Sequence, residues 1–129
     1  KAMRQACKSV KMKVILETGV YKADSDIYDA SIIAMEAGAD FVKTSTGKSE
    51  PAATPRAMLI MALAVSDYYK ATGRRVGIKP AGGIRTSQDA MQYCSIMDDI
   101  FQGDYDNTTF RIGATSLAKN VIADIKALS

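Results

Sequence analysis

The stretch FVKTSTGKSE, residues 41–50, decides how this chain is read. Its first part is a short apolar run that ends on a lysine, Lys43. Its second part, Gly47-Lys48-Ser49, looks like the tail of a nucleotide-binding P-loop. That loop needs a glycine five positions before Gly47, so that the backbone can wrap the phosphates. The position holds Val42, a stiff β-branched residue inside the apolar run. The spacing fails for a P-loop, and what remains is a strand that ends at Lys43 and runs into a Gly-Lys turn. Such a turn, just past a strand end, can still meet a phosphate.

Outward from this stretch the pattern repeats. Lys13-Val14-Ile15-Leu16-Glu17 is β-like and is broken by Thr18-Gly19. Ala39-Asp40-Phe41-Val42-Lys43 is a second strand. Arg75-Val76-Gly77-Ile78-Lys79 is a third, halted by Pro80, and Thr109-Phe110-Arg111-Ile112-Gly113 is a fourth. Between them lie helical stripes. Ile27, Ala30, Ala34 and Ala37 form one, stopped by Gly38. Thr54-Pro55 caps the next, whose inner face is Met58, Met61, Ala62, Val65 and Tyr69, ended near Gly73. Thr86 and Asp89 read as a capping box for a helix carrying Ala90, Tyr93, Cys94, Met97 and Phe101. Leu117, Val121, Ile125 and Leu128 mark the inner face of the last helix. Met3, Ala6, Cys7 and Val10 have the spacing of a buried stripe on the first. That first helix has no cap and the chain opens on Lys1, so the expectation is a piece of a longer protein.

Strand–helix alternation without hairpin signals means parallel strands joined by helical crossovers. An open doubly wound sheet and a segment of a β/α barrel both fit. No G-x-G-x-x-G follows the first strand, which disfavours a dinucleotide fold.

Composition removes several kinds of chemistry. The chain has no histidine, so Ser-His-Asp and Cys-His mechanisms, histidine bases and histidine metal sites are out. Cys7 and Cys94 have no metal-ligand spacing and are expected to be buried free thiols, which suit a reducing cytosol. The formal charge of +3 comes from interspersed residues without a basic block, which gives nucleic-acid binding little support. No apolar run is long enough to span a membrane.

Functional groups of parallel β/α folds collect where the strands end. Glu17, Thr18 and Gly19 follow the first strand, and Lys43 to Lys48 close the second. Lys79 to Ile84 close the third, and Gly113 to Ser116 the fourth. Two strands thus end in lysine behind an apolar run. A charged lysine in the last buried position of a strand is costly. Desolvation favours the neutral amine, and a second ammonium nearby favours it further. A neutral amine attacks carbonyls and forms a Schiff base. The turns at Gly82-Gly83 and Gly113-Ala114-Thr115-Ser116 precede helices and present bare N–H groups that suit phosphate. The blander alternative is that both lysines snorkel to solvent and the glycines only make tight turns. Taken together, the residues suggest an amine nucleophile facing a phosphorylated carbonyl compound.

FVKTSTGK, the ATP at 53–55, VGIKPAGGIRT at 76–86, FRIGATSL at 110–117 and VILETG at 14–19 resemble, in order and spacing, the deoxyribose-phosphate aldolase family. The resemblance covers nearly the whole chain. It implies a (β/α)8 TIM barrel and a class I, metal-free and cofactor-free aldolase. That family cleaves 2-deoxyribose 5-phosphate into acetaldehyde and glyceraldehyde 3-phosphate. By resemblance, Lys43 is the Schiff-base lysine. Lys79 is the second lysine, which favours the neutral amine and joins proton transfer. Gly47, Lys48, Gly82, Gly83, Thr115 and Ser116 line the phosphate end. A complete barrel has eight β/α units in roughly 250 residues, and the four strands here match the family's C-terminal half. The family's proton-relay aspartate lies on an earlier strand. Asp40 is a poor substitute, since alternation points it away from Lys43.

These readings imply a cytoplasmic protein with a small phosphorylated sugar as substrate and no nucleic-acid or membrane partner. Sheet edges at Val14-Ile15-Leu16 and Phe110-Arg111-Ile112 would seek a second copy or the missing N-terminal half. A different class of reading is a non-catalytic aldolase-like fold that binds a protein partner or a phosphorylated ligand.

Overall fold

A computed structural model describes residues 1–128. In chain order it contains α1 (Ala2–Cys7), β1 (Lys13–Ile15), a 3-10 turn (Thr18–Val20), α2 (Asp24–Glu36) and β2 (Phe41–Lys43). There follow α3 (Pro55–Thr72), β3 (Gly77–Lys79), α4 (Ser87–Phe101) and α5 (Leu117–Leu128). The strands form one parallel sheet in the order β1-β2-β3, as strand–helix alternation predicts. The helix limits follow the sequence. Thr54 Oγ1 accepts from Ala57 N at 3.1 Å, Pro55 opens α3, and Gly73 closes it at φ 69°. Thr86 and Asp89 form the reciprocal capping box of α4.

Alternation along the strands separates two faces. Leu16, Val42 and Ile78 share one core with Met35 of α2, with Met58, Met61, Ala62 and Val65 of α3, and with Tyr93 and Met97 of α4. Burying a side chain of this size is worth about 1.5–3 kcal/mol, so this helix-covered face holds the fold together. Tyr69, at the end of the α3 stripe, is less deeply placed and lies beside the Arg75 guanidinium. The other face carries Lys13 and Ile15 of β1, Phe41 and Lys43 of β2, and Lys79 of β3. Phe41 is buried even there. Gly77 on the next strand has no side chain, and a Cβ at 77 would lie 2.3 Å from the Phe41 ring. Lys13 Nζ and the Arg111 guanidinium cover the ring, 5.1 and 5.7 Å from its centroid.

The expected fourth strand is only partly realised. Phe110 bridges Ile78 and Gly113 bridges Ala81, both in parallel sense. Ile78 N donates to Thr109 O (2.8 Å), Arg111 N to Ile78 O (3.1 Å), Gly113 N to Pro80 O (2.8 Å) and Gly82 N to Gly113 O (3.4 Å). The missing rung is a donation from residue 80 to Arg111 O. Residue 80 is proline, which has no N–H to give. The segment keeps its register beside β3 but not a continuous ladder.

Other expectations need correction. The helix α1 stops at Cys7, where Lys8 takes φ 47°, and Met3 and Val10 are 73% and 61% exposed rather than buried. It is held by Arg4 instead. The guanidinium donates to Asp40 Oδ2 (2.6 Å) and to the carbonyls of Lys8 and Val10, while its methylenes lie over Gly38. The expected inner face of α5 is covered only at its start. Leu117 and Val121 are half-buried, whereas Ile125 and Leu128 are 58% and 90% exposed. Polar contacts tie this helix down: Ser87 Oγ donates to Asp124, and Asn120 Nδ2 to Arg85 O at 2.7 Å. Cys7 and Cys94 are free but only half-buried. Burial, and then Asp98, push the Cys94 thiol up, away from the reactive thiolate.

Candidate active site

The strands β2 and β3 end on lysines that are register partners, Lys43 beside Lys79. Neighbouring strands lie about 4.8 Å apart, so the two side chains leave the same face from adjacent backbone positions. Both are half-buried. Gly113 makes room for the second: a Cβ there would sit 3.0 Å from Lys79 Cε and 2.7 Å from Ala81 Cβ. The Lys79 ammonium is disfavoured by burial first, and then by the charges of Lys43, Lys13 and Arg111, so its pKa falls below the usual lysine range.

This shift has a signature in stability. Between the lowered pKa of Lys79 in the fold and the ordinary 10.5, only the unfolded chain holds the proton. Stability therefore rises with pH through that window and is lowest below it. Lys79→Met keeps the stem and removes the charge. The variant is expected to melt higher than the parent at neutral pH, with the gap closing as pH approaches the ordinary lysine value. Melting curves across that range check it, and a lower-melting variant or a constant gap would contradict it.

The loops after β2 and β3 are clamped together. Thr44 and Ser45 are buried, and both hydroxyls donate to Ala81 O, at 3.1 and 2.7 Å. Ala81 N returns a bond to Thr44 Oγ1 at 2.9 Å, and Gly47 N donates to Ser45 Oγ at 3.2 Å. Glu17, past β1, accepts from Thr46 N (3.2 Å) and Thr46 Oγ1 (2.8 Å). Lys43 thus sits at the root of a loop pinned on both sides. Thr44→Val removes a buried bond in both directions and leaves Ala81 N–H unpaired. A loss of about 1–3 kcal/mol is expected by denaturant titration.

Lys43, Gly47, Gly82, Gly83 and Thr115 line one cleft, and Arg85 joins them. Lys79 lies beside it, against Gly113. Lys48 and Ser116 are exposed and outside the lining. Asp89 takes the N–H groups of Arg85 and Thr86, at 3.0 and 2.9 Å, so the capping box occupies those donors. The N–H groups of Gly83 and Ile84, also in the lining, are engaged by no described residue. The lining has two cationic side chains, Lys43 and Arg85, and no carboxylate. A cleft with this charge and these bare donors favours an anion.

Sequence reasoning assigned no role to Arg85, Thr44, Ser45 or Glu17. Arg85 does carry a local signal, a cation directly after the Gly82-Gly83-Ile84 turn. The partners of Thr44 and Ser45 lie 37 and 36 residues away, and that of Glu17 lies 29 away, which no local pattern displays. Among the described residues, no group of three or more Cys, Asp or Glu is placed to hold a metal ion. Nor is any helix long and apolar enough to cross a membrane.

The fold and cleft define an α/β protein with paired lysines at the strand ends, facing a cationic, glycine-lined opening. Residues 1–116 match the DeoC/LacD family of aldolases, and the chain belongs to that family. A Caenorhabditis elegans protein named "Putative deoxyribose-phosphate aldolase" is 44% identical over 117 residues, which make up 90% of this chain and 39% of that protein. A crystal structure of a Toxoplasma gondii protein bearing the same description superposes with TM-score 0.85 at 23% identity, over 98% of this chain and 50% of the other. At that identity the likeness shows the fold alone. A Coccidioides immitis protein, again so described, gives TM-score 0.76 at 29% identity, over 96% of this chain and 43% of its own. The chain therefore spans half or less of the length of these relatives.

Proposed function

We propose that this chain is the lysine-bearing part of a class I deoxyribose-phosphate aldolase, contributing four units of a (β/α)8 barrel. The observation that carries the proposal is the Lys43–Lys79 pair, in register on adjacent strands and opening on a cationic cleft, in a chain of an aldolase family. The substrate is 2-deoxyribose 5-phosphate in its open-chain form. Its phosphate lies toward Gly47, Gly82, Gly83 and Thr115, with Arg85 adding charge, while Lys48 and Ser116 stand outside that lining. Its aldehyde carbon lies at Lys43.

The neutral Lys43 amine adds to that carbon, and loss of water leaves a protonated Schiff base. This electron sink allows the C2–C3 bond to break as the C3 hydroxyl gives up its proton. Glyceraldehyde 3-phosphate departs, and an enamine remains on Lys43. Protonation at C2 and hydrolysis then release acetaldehyde and free the amine. Lys79, whose ammonium is disfavoured by burial and by the neighbouring cations, holds and passes protons in these steps. Asp40 has no part in this. Its carboxylate accepts from Met12 N at 2.8 Å and from Arg4 at 2.6 Å. The relay carboxylate belongs to the rest of the barrel. The test is release of glyceraldehyde 3-phosphate from 2-deoxyribose 5-phosphate. It is expected from the complete barrel and not from this chain alone. Turnover by a monomeric 129-residue chain, or none by the complete barrel, would contradict the proposal.

A further inference from the structure

Between the starts of α2 and α3, the segments 18–24 and 51–57 enclose a second cleft of about 280 Å³. Small-molecule sites run from about 300 to 1,000 Å³, so this one suits a small compound. It shares no lining residue with the Lys43 cleft. Its floor is apolar, since Ile27, Ala52 and Ala57 are all buried. The most buried polar residue of its wall is Thr18, which is 4% exposed. The Thr18 backbone is engaged: N donates to Thr44 O at 2.9 Å, and O accepts from Tyr21 N at 3.4 Å. The hydroxyl is not. Among the described residues, Thr18 Oγ1 is the single buried side-chain N or O without a hydrogen-bond partner. The other buried hydroxyls, on Ser31, Thr44 and Ser45, all donate to carbonyls. Burying a hydroxyl without a partner is unfavourable, and one left so in the wall of a cleft calls for a partner from a ligand.

The rim defines the charge of that ligand. The helix α2 opens without a side-chain cap, because Ala23 stands at its N-cap position. The N–H groups of Lys22, Ala23 and Asp24, all in the lining, are engaged by no described residue. Bare N–H groups at a helix start attract anions. Arg56 is already paired, donating to Asp24 Oδ1 and Oδ2 at 2.9 and 3.1 Å. Lys22 forms no ion pair among the described residues. Asp24 offsets Arg56, so the rim keeps one net positive charge, that of Lys22. One charge matches a monoanion. A phosphate dianion would be undercompensated and would also meet the Asp24 carboxylate.

We infer that this cleft binds a small organic monocarboxylate. Its carboxylate accepts from Thr18 Oγ1 and from the bare N–H groups ahead of α2, beside Lys22, and its short apolar body packs on Ile27, Ala52 and Ala57. The site is separate from the Lys43 cleft, and the inference does not rest on the aldolase chemistry.

The probe is butyrate, compared with butyramide and with inorganic phosphate, on the complete barrel. Amide NMR shifts read the site locally at Lys22, Ala23 and Asp24, and read the Lys43 cleft separately at Gly83 and Ile84. Butyrate is expected to shift the first group saturably, and butyramide, its neutral isostere, to leave it in place. Thr18→Val replaces the hydroxyl with a methyl. It is expected to weaken butyrate binding about tenfold and to melt no lower than the parent, because the hydroxyl makes no bond in the unliganded fold. Thr18→Ser keeps the hydroxyl and is expected to bind as the parent does. Lys22→Gln lies on the exposed rim, where it does not threaten folding, and is expected to weaken binding about threefold. No saturable shift at Lys22, Ala23 and Asp24 would overturn the inference. Phosphate binding there more tightly than butyrate would overturn it too, since the site would then serve a different anion. So would a Thr18→Val variant that melts lower than the parent or binds butyrate equally well, because the hydroxyl would then serve the fold and not a ligand.

Discussion

Lys43→Arg in the complete barrel is expected to abolish turnover of 2-deoxyribose 5-phosphate while leaving the melting temperature nearly unchanged. Arginine keeps the positive charge beside Lys79, so the electrostatics of the strand ends survive the change. It does not keep the chemistry, since a guanidinium stays protonated and offers no free amine to a carbonyl. The loss should exceed about 10³-fold, or about 4 kcal/mol of barrier. The position is half-buried and makes no ion pair among the described residues, so little stability is at stake. Steady-state rates and a thermal melt on the same sample check both halves. A variant retaining a tenth of the parent rate would remove Lys43 from the mechanism. One that fails to fold would show Lys43 to be structural.

Gly82→Ala is expected to damage both stability and binding. Gly82 has φ +94°, a conformation that costs a residue with a side chain about 1–3 kcal/mol. Space is lacking too. An added Cβ would lie 2.6 Å from Ala52 Cβ, 3.0 Å from Ser45 Oγ and 3.1 Å from Gly47 Cα. Relieving that crowding costs about another 1–3 kcal/mol. The displaced atoms are those that clamp the Lys43 loop and line the cleft, so the Michaelis constant for a phosphorylated substrate should rise as stability falls. Gly83→Ala is the control. Gly83 is also left-handed, at φ +81°, but nothing lies within 4 Å of an added Cβ, so only the backbone strain should appear. Denaturant titration and substrate-concentration curves separate the two variants. Equal damage from both would mean that crowding at Gly82 is not the cause.

Much of the architecture is legible in local sequence patterns. Gly38, Gly73, Thr54-Pro55 and the Thr86/Asp89 box each announce a helix limit, and the structure puts the limits there. The lysines are legible because a charged residue closing an apolar strand is locally discordant. Pro80 is legible as a strand stop, but its effect on the neighbouring segment is not. That effect falls on Arg111, whose carbonyl loses a donor from a residue 31 positions earlier in the chain. The clamp of Thr44 and Ser45 on Ala81 is likewise a property of two loops meeting. So is the Phe41 ring lying across Gly77, where an absent side chain on one strand is filled from the next. Apolar spacing misleads at both ends of the chain. Val10 and Leu128 carry the helical period, but period states only which face could be buried, not whether anything covers it.

Lys43, and not Lys79, is the nucleophile in the proposed reaction. Borohydride reduction of the complete barrel with 2-deoxyribose 5-phosphate, followed by peptide mass mapping, tests this most directly. The predicted result is a single reduced adduct on Lys43, dependent on substrate and absent from Lys43→Arg. An adduct on Lys79, or no adduct in a protein that turns the substrate over, would contradict it.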